Sequence, residues 1–285
     1  MTLSIGDDLK TKRFWKRFLL GTFSAVGLTS SVLGLFDVLF PSVLPGFTPW
    51  LVFLIGIVSI FLGANYAWPR PIQEHYSAPD TEIRVVRGDY FDSHSAHLVI
   101  GMCDTFDTRV PIIAASSLQN QFLVKAYGGD RDKLDREIQS ALSDVSIKER
   151  VEKEGNQDRY ELGTVAVLDG INRMFLLLAY TEMDESNNAR GTTDGLWQSL
   201  SSLWTVARSR TNGGIIRIPV IGGGQARVSQ FLPAQDSIRF IALSFMLASR
   251  REKVCPVLEI VVSPAQYDKL DKLEIPAFLS SLKPS

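Results

Sequence analysis

Ile215–Arg227 reads IIRIPVIGGGQAR. An apolar run ends in three consecutive glycines, Gly222, Gly223 and Gly224, followed by Gln225, Ala226 and Arg227. An apolar run rich in β-branched residues suits a strand buried in a sheet. Glycines at its carboxyl end let the backbone turn tightly, so that successive N–H groups point into one hollow, an arrangement that holds phosphate oxygens. Arg227 would add a charge-assisted contact. The same residues also suit a tight turn with no ligand. No Lys-Ser or Lys-Thr follows the glycines, which excludes a Walker A loop.

Working outward, six further runs read as strands: Ile83–Arg87, His97–Cys103, Val110–Ala114, Gly163–Leu168, Met174–Tyr180 and Val257–Val262. Helical periodicity lies between them. Asp130–Asp144 places Leu134, Ile138 and Leu142 on one face, and Thr193–Arg210 places Leu196, Leu200, Leu203, Trp204 and Ala207 on one face, with Thr193 or Asp194 as its cap. Asp236–Arg250 turns Ile238, Ile241 and Phe245 inward. Strands alternating with helices predict a layered α/β fold with helices on both faces of the sheet.

Three other polar clusters sit at the ends of these runs. Arg87-Gly88-Asp89-Tyr90 closes the first strand; Asp89 suits an acceptor for a base amino group, or the cap of the next turn. Asp104, Thr105 and Asp107 follow the second, as paired carboxylates for acid/base work or sugar hydroxyls, or as solvated loop residues. Ser116–Phe122, with Ser117 and Gln119, reads as a polar loop after Val110–Ala114. The carboxyl ends of strands are where open α/β sheets hold ligands.

The amino-terminal part differs sharply. Phe18–Phe40 (FLLGTFSAVGLTSSVLGLFDVLF) has one charge, Asp37, in 23 residues, and Phe47–Trp68 (FTPWLVFLIGIVSIFLGANYAW) has none. At about 1.5 Å per residue the first covers roughly 34 Å, enough for a ~30 Å hydrocarbon core. Pro41–Gly46 links the two runs, and the pair predicts a two-helix transmembrane hairpin. Lys10, Lys12, Arg13, Lys16 and Arg17 precede it and Arg70 follows it, which places both termini in the cytoplasm. Trp15 and Trp68 suit the inner interface and Trp50 the outer one. Small residues recur on single faces, Ser24, Gly27, Ser31 and Gly34 in the first run and Gly56, Ser59 and Gly63 in the second. They suit close packing of the two helices on each other or of hairpins between subunits.

The division predicted is therefore 1–17 as a basic cytoplasmic segment, 18–68 as the hairpin, 69–80 as a proline-containing linker and 81–285 as the α/β domain. With 45% hydrophobic and 21% charged residues the chain is neither disordered nor collagen-like. Thirty basic and 31 acidic residues leave a net charge of −1, which gives no support to nucleic acid as a partner. Cys103 and Cys255 form no CxxC pair, so neither a zinc site nor a disulfide framework is predicted, and no metal is assigned.

Taken in order, the motifs resemble the macro domain. Ile83–Asp89 meets its opening I-x-V-x-x-G-D, and His97–Asp107 its next strand and loop. Tyr160–Val167 resembles its central strand, and Ile218–Gly224 its last binding loop. The resemblance runs from about Thr81 to Pro264 and implies a three-layer α/β/α domain with a mixed sheet. Two departures stand out. Gly101-Met102-Cys103-Asp104 replaces the usual Asn-Ala-Ala-Asn, and the Ser117–Gln121 segment replaces the first glycine-rich loop. Both argue against hydrolysis. Joined to a membrane hairpin, this divergent domain is similar to the membrane-anchored effectors of the Thoeris antiphage system, of the ThsA macro-domain type.

That resemblance implies a function. A TIR-domain partner would consume NAD and release a soluble ADP-ribose derivative, a histidine conjugate in this type. The macro domain would bind it, effectors would self-associate at the bacterial inner membrane, and membrane disruption would abort the infection. The ligand would be a signal rather than a cofactor, and the alternative is a membrane-tethered hydrolase of ADP-ribosyl groups or ADP-ribose derivatives. By position, Asp89 would meet the adenine amino group with Tyr90 beside the ring. Gly222, Gly223, Gly224 and Gln225 would supply N–H groups to the diphosphate, and Ser117 and Gln119 would flank it. Asp104, Thr105 and Asp107 would lie near the distal ribose and whatever it carries.

Overall fold

A computed structural model describes residues 12–39, 49–68, 71–221 and 232–283. The chain divides into two compact units, Met1–Arg70 and Pro71–Ser285.

The first unit contains two helices, α1 (Lys12–Leu39) and α2 (Pro49–Ala67). Phe14–Phe36 of α1 is long and apolar enough to cross a membrane, whereas the apolar stretch of α2, Val52–Ala67, is shorter. Pro41–Gly46, the predicted link, lies outside the described residues. The two helices pack through small residues, though not those the spacing singled out on α1. A Cβ on Gly63 would stand 2.0 Å from Thr22 Oγ1 and 3.0 Å from the Phe18 carbonyl oxygen, and one on Gly21 would meet Tyr66 at 3.1 Å. Ser59 is buried. Above Gly27, Gly34 and Gly56 a Cβ would meet nothing within 4 Å.

The second unit is a mixed sheet in the order β1-β2-β10-β9-β3-β7-β6, with the short β8 (Ala189–Arg190) beside β7. Its strands are β1 (Ile72–Ser77), β2 (Asp80–Arg87), β3 (His97–Cys103), β6 (Val165–Gly170), β7 (Arg173–Met183), β9 (Ile216–Pro219) and β10 (Val257–Val262). The five from β2 to β7 run parallel, and β1 and β6 are antiparallel at the edges. A separate two-stranded hairpin pairs β4 (Glu149–Arg150) with β5 (Asp158–Arg159).

The helices cover both faces. On one, α5 (Thr193–Arg210) and α6 (Ala234–Arg251) bury Leu200, Trp204, Ile241 and Phe245 against Ile216, Ile218 and Ile260. The Thr192 hydroxyl caps α5 by accepting from Gly195 N at 3.0 Å, one residue before the predicted cap; Asp194 and Arg208/Arg210 suit its two dipole ends. On the other face, α3 (Leu118–Tyr127) and α4 (Arg131–Ala141) bury Phe122, Leu134 and Ile138 against Leu98, Ile100 and Leu177. The short α7 (Pro264–Tyr267) and α8 (Glu274–Ser281) complete the chain.

Three expectations are corrected. Within the segment read as linker, residues 72–77 are strand β1. It pairs with β2 from Ile72↔Val85 to Ser77↔Asp80, and the Tyr76 hydroxyl donates to the Leu279 carbonyl of α8 at 2.8 Å. Val110–Ala114 is a turn, because Pro111 has no N–H for a ladder and the Ile113 amide bonds back to Arg109 at 2.9 Å. The predicted polar loop at Ser116–Phe122 is mostly the first turns of α3.

Candidate functional site

A cleft of about 780 Å³ opens over the carboxyl ends of the parallel strands. Gly88, Asp89 and Tyr90 line it after β2, Val261 and Ser263 at β10, and Pro219 to Ile221 at β9. Gly101 to Cys103 line it on β3, and Tyr180, Thr181 and Met183 on β7. The start of α3, from Ser116 to Gln119, forms one wall. Five strands at ~4.8 Å spacing make the opening roughly 19 Å wide across the sheet, a shape for an elongated ligand.

Asp89 lies at the β2 end with its side chain 45% exposed. Lys125 Nζ of α3 stands 2.6 Å from Oδ2, and Phe91 N donates to Oδ1 at 3.0 Å. The lysine first, then the amide, holds this carboxyl below its ordinary range, so it is an anionic acceptor at neutral pH. Tyr90 follows Asp89 in the cleft lining. It is 5% exposed, and its hydroxyl sits 2.6 Å from the Val99 carbonyl oxygen and 2.7 Å from that of Arg217, so it ties the Asp89 loop to the core.

Ser117 caps α3 by accepting from Asn120 N at 3.1 Å, which leaves the amides of Leu118 and Gln119, both lining residues, in the open first turn. Gln119 Nε2 is 3.2 Å from the Met102 sulfur on the cleft floor. Gly222, Gly223, Gly224, Gln225 and Arg227 lie outside the described residues. The strand that leads to them is fixed: Val220 N donates to the Val261 carbonyl at 3.2 Å and Ile221 N to Ser237 Oγ at 3.1 Å.

Asp104, Thr105 and Asp107 do not line the cleft. Each is 1% exposed and belongs to a buried polar network. Asp104 Oδ1 accepts from Met183 N at 2.9 Å, and Oδ2 is 3.0 Å from Arg159 Nε. Burial outweighs both and pushes its pKa up to about 6. Lys153, with no exposed side-chain surface, gives its three protons to Asp107 Oδ2 at 2.7 Å, the Glu154 carbonyl at 3.0 Å and Asn187 Oδ1 at 3.0 Å. Thr105 Oγ1 donates to Asp107 Oδ2 at 2.6 Å and Asn156 N to Oδ1 at 2.9 Å. These acids pin the β4–β5 hairpin beneath the end of β3.

Sequence reasoning also passed over Arg217. It is 2% exposed inside the β9 run, opposite Glu259 of β10 in register, with Nη2 and Nε at 2.8 and 2.9 Å from Glu259 Oε2. Its Nη1 donates to the Tyr90 carbonyl at 3.1 Å, a second tie on the turn that carries Asp89. Among the described residues no group of three or more His, Cys, Asp or Glu is placed to hold a metal ion.

No curated protein matches the chain. Among solved structures, an Oceanobacillus iheyensis macrodomain with MES bound is similar at 13% identity. It covers 74% of this chain and 99% of its own, with a TM-score of 0.49. An Oceanobacillus iheyensis macrodomain with ADP is similar at 10% identity, covering 75% and 96%, with a TM-score of 0.45. The family described as "Thoeris protein ThsA, Macro domain" matches residues 83–263, from within β2 to just past β10. The chain belongs to the ThsA macro-domain family of Thoeris proteins.

Proposed function

We propose that this protein is a membrane effector of antiphage defence whose macro domain binds an ADP-ribose-type signal made by a TIR-domain partner. Binding drives self-association, and the clustered amino-terminal helices, inserted as a two-helix hairpin in the inner membrane with both termini cytoplasmic, disrupt it. The observation that carries this reading is the cleft itself. It crosses five strand ends, with an anionic acceptor, Asp89, at one side and the open amides of Leu118 and Gln119 along its wall. An adenine amino group suits the first and a diphosphate the second. The glycines at 222–224 follow Ile221 and suit the same diphosphate by the resemblance already given.

Among the described lining residues the one carboxylate is Asp89, and it is paired with Lys125. That supports binding without turnover over the hydrolase reading. Ligand binding shifts an equilibrium between separate and clustered chains only through its higher affinity for the clustered state. Weak contacts between helices then act together.

Titration of the detergent-solubilised full chain with ADP-ribose tests the proposal. Saturable binding with the nucleotide recovered intact supports it. No binding contradicts it, and steady release of a cleavage product moves the assignment to the hydrolase.

A further inference from the structure

The two ends of the cleft differ in chemistry. The β2 end carries Asp89 and its Lys125 partner. At the β7 end, the lining residues Cys103, Tyr180, Thr181, Met183 and Ala189 bear no charge, because Asp104 and Asp107 are drawn into the buried network.

Tyr180 is the distinctive residue here. Its ring lies against bare backbone: a Cβ on Gly101 of β3 would come within 2.5 Å of Cε1 and 3.2 Å of Cδ1. Glycine at 101 makes room for the ring and fixes where it sits. Among the described residues its hydroxyl has no hydrogen-bond partner, whereas the hydroxyls of Tyr76, Tyr90 and Tyr127 are each bonded within the chain. A half-buried phenol in a cleft wall that is bonded to nothing in the described chain is free to donate its proton to a ligand. Burial first, and the neighbouring Cys103 second, push its pKa up to about 12, so it is a proton donor at neutral pH.

We infer that Tyr180 is a specificity-determining residue, whose hydroxyl donates to an uncharged acceptor on the part of the ligand beyond its diphosphate, a sugar hydroxyl. The inference rests on the nucleotide reading above, which places the base at Asp89 and so the far end of the ligand at β7. A cationic far group finds no carboxylate at this wall.

The test compares ADP with ADP-ribose, which adds the far sugar to the terminal phosphate, on the wild-type full chain and on Tyr180→Phe. That substitution keeps the ring and removes a hydroxyl that holds nothing in the chain, so the thermal midpoint stays within about 2 °C. ADP-ribose affinity falls about five- to tenfold, and ADP affinity changes less than about twofold, the effect of one neutral hydrogen bond. Equal changes for both nucleotides, or none for either, overturn the assignment of Tyr180 while leaving the nucleotide reading intact. A wild-type chain that binds neither nucleotide overturns both.

Discussion

Asp89 and Asp104 each follow a strand of the same sheet, each beside a basic side chain, and they have opposite fates. Asp89 is half exposed, held anionic by Lys125, and open to the cleft. Asp104 is buried against Arg159 and Met183 N, with its pKa raised to about 6, and it stabilises a hairpin instead of meeting a ligand. A carboxylate at a strand end is therefore not by itself a binding residue. What decides is whether a distant segment closes over it. Residues 149–159 do so at β3, and among the described residues nothing comparable closes over Asp89 at β2.

The largest effect that separates the two regions comes from Lys153→Met. It leaves Asp107 buried without its cation, and the expected loss is about 3–5 kcal/mol of unfolding free energy, read from thermal or denaturant unfolding of the full chain. A loss below about 1 kcal/mol would show that the network is not structural.

A second effect is pH dependence at Asp104. Its folded pKa of about 6 lies above the ordinary 3.8, so the folded state binds the extra proton between those values. Stability is therefore highest at the acid end of that window and falls as pH rises to about 6, by roughly 2–3 kcal/mol. Asp104→Asn flattens this slope. A slope of equal size in the variant would assign it to another group.

Asp89→Ala reverses the pattern. It changes stability by less than about 1 kcal/mol, since the pair with Lys125 is exposed, while it removes the acceptor from the cleft. The smallest effect on ligand binding belongs to Gly27→Leu with Gly34→Leu. Neither position touches α2, so nucleotide affinity stays unchanged, while ligand-triggered dye entry into cells is lost if these faces join neighbouring chains. Gly63→Leu, by contrast, collides with Thr22 and the Phe18 carbonyl and separates α1 from α2.

Much of this was legible in the chain. Runs such as His97–Cys103 and Val257–Val262 are apolar throughout because they lie inside a sheet covered on both faces, and the structure places β3 and β10 at those residues. The turn at Gly88-Asp89 and the wall at Ser117 and Gln119 fell where the cleft is. Other parts depended on partners far along the chain. Strand β1 reads as a linker because prolines flank it and only Ile72 and Tyr76 are buried; its pairing with β2 and α8 is what makes it a strand. Helix α3 has a weak apolar face, and its sequence signals were the Ser117 cap and Gly128, which takes a positive φ of 62° at the helix end. Arg217 inside an apolar run makes sense only beside Glu259, 42 residues later. The retreat of Asp104 and Asp107 required Arg159 and Lys153, which no local pattern links to them.

The most direct test of the central claim is calorimetric titration of ADP-ribose into the full chain, run in parallel on wild type and Asp89→Ala. The account predicts saturable binding to wild type, weakened about tenfold or more in the variant, with both chains unfolding within about 1 kcal/mol of each other. Equal affinities, or no binding to the wild type, would contradict it.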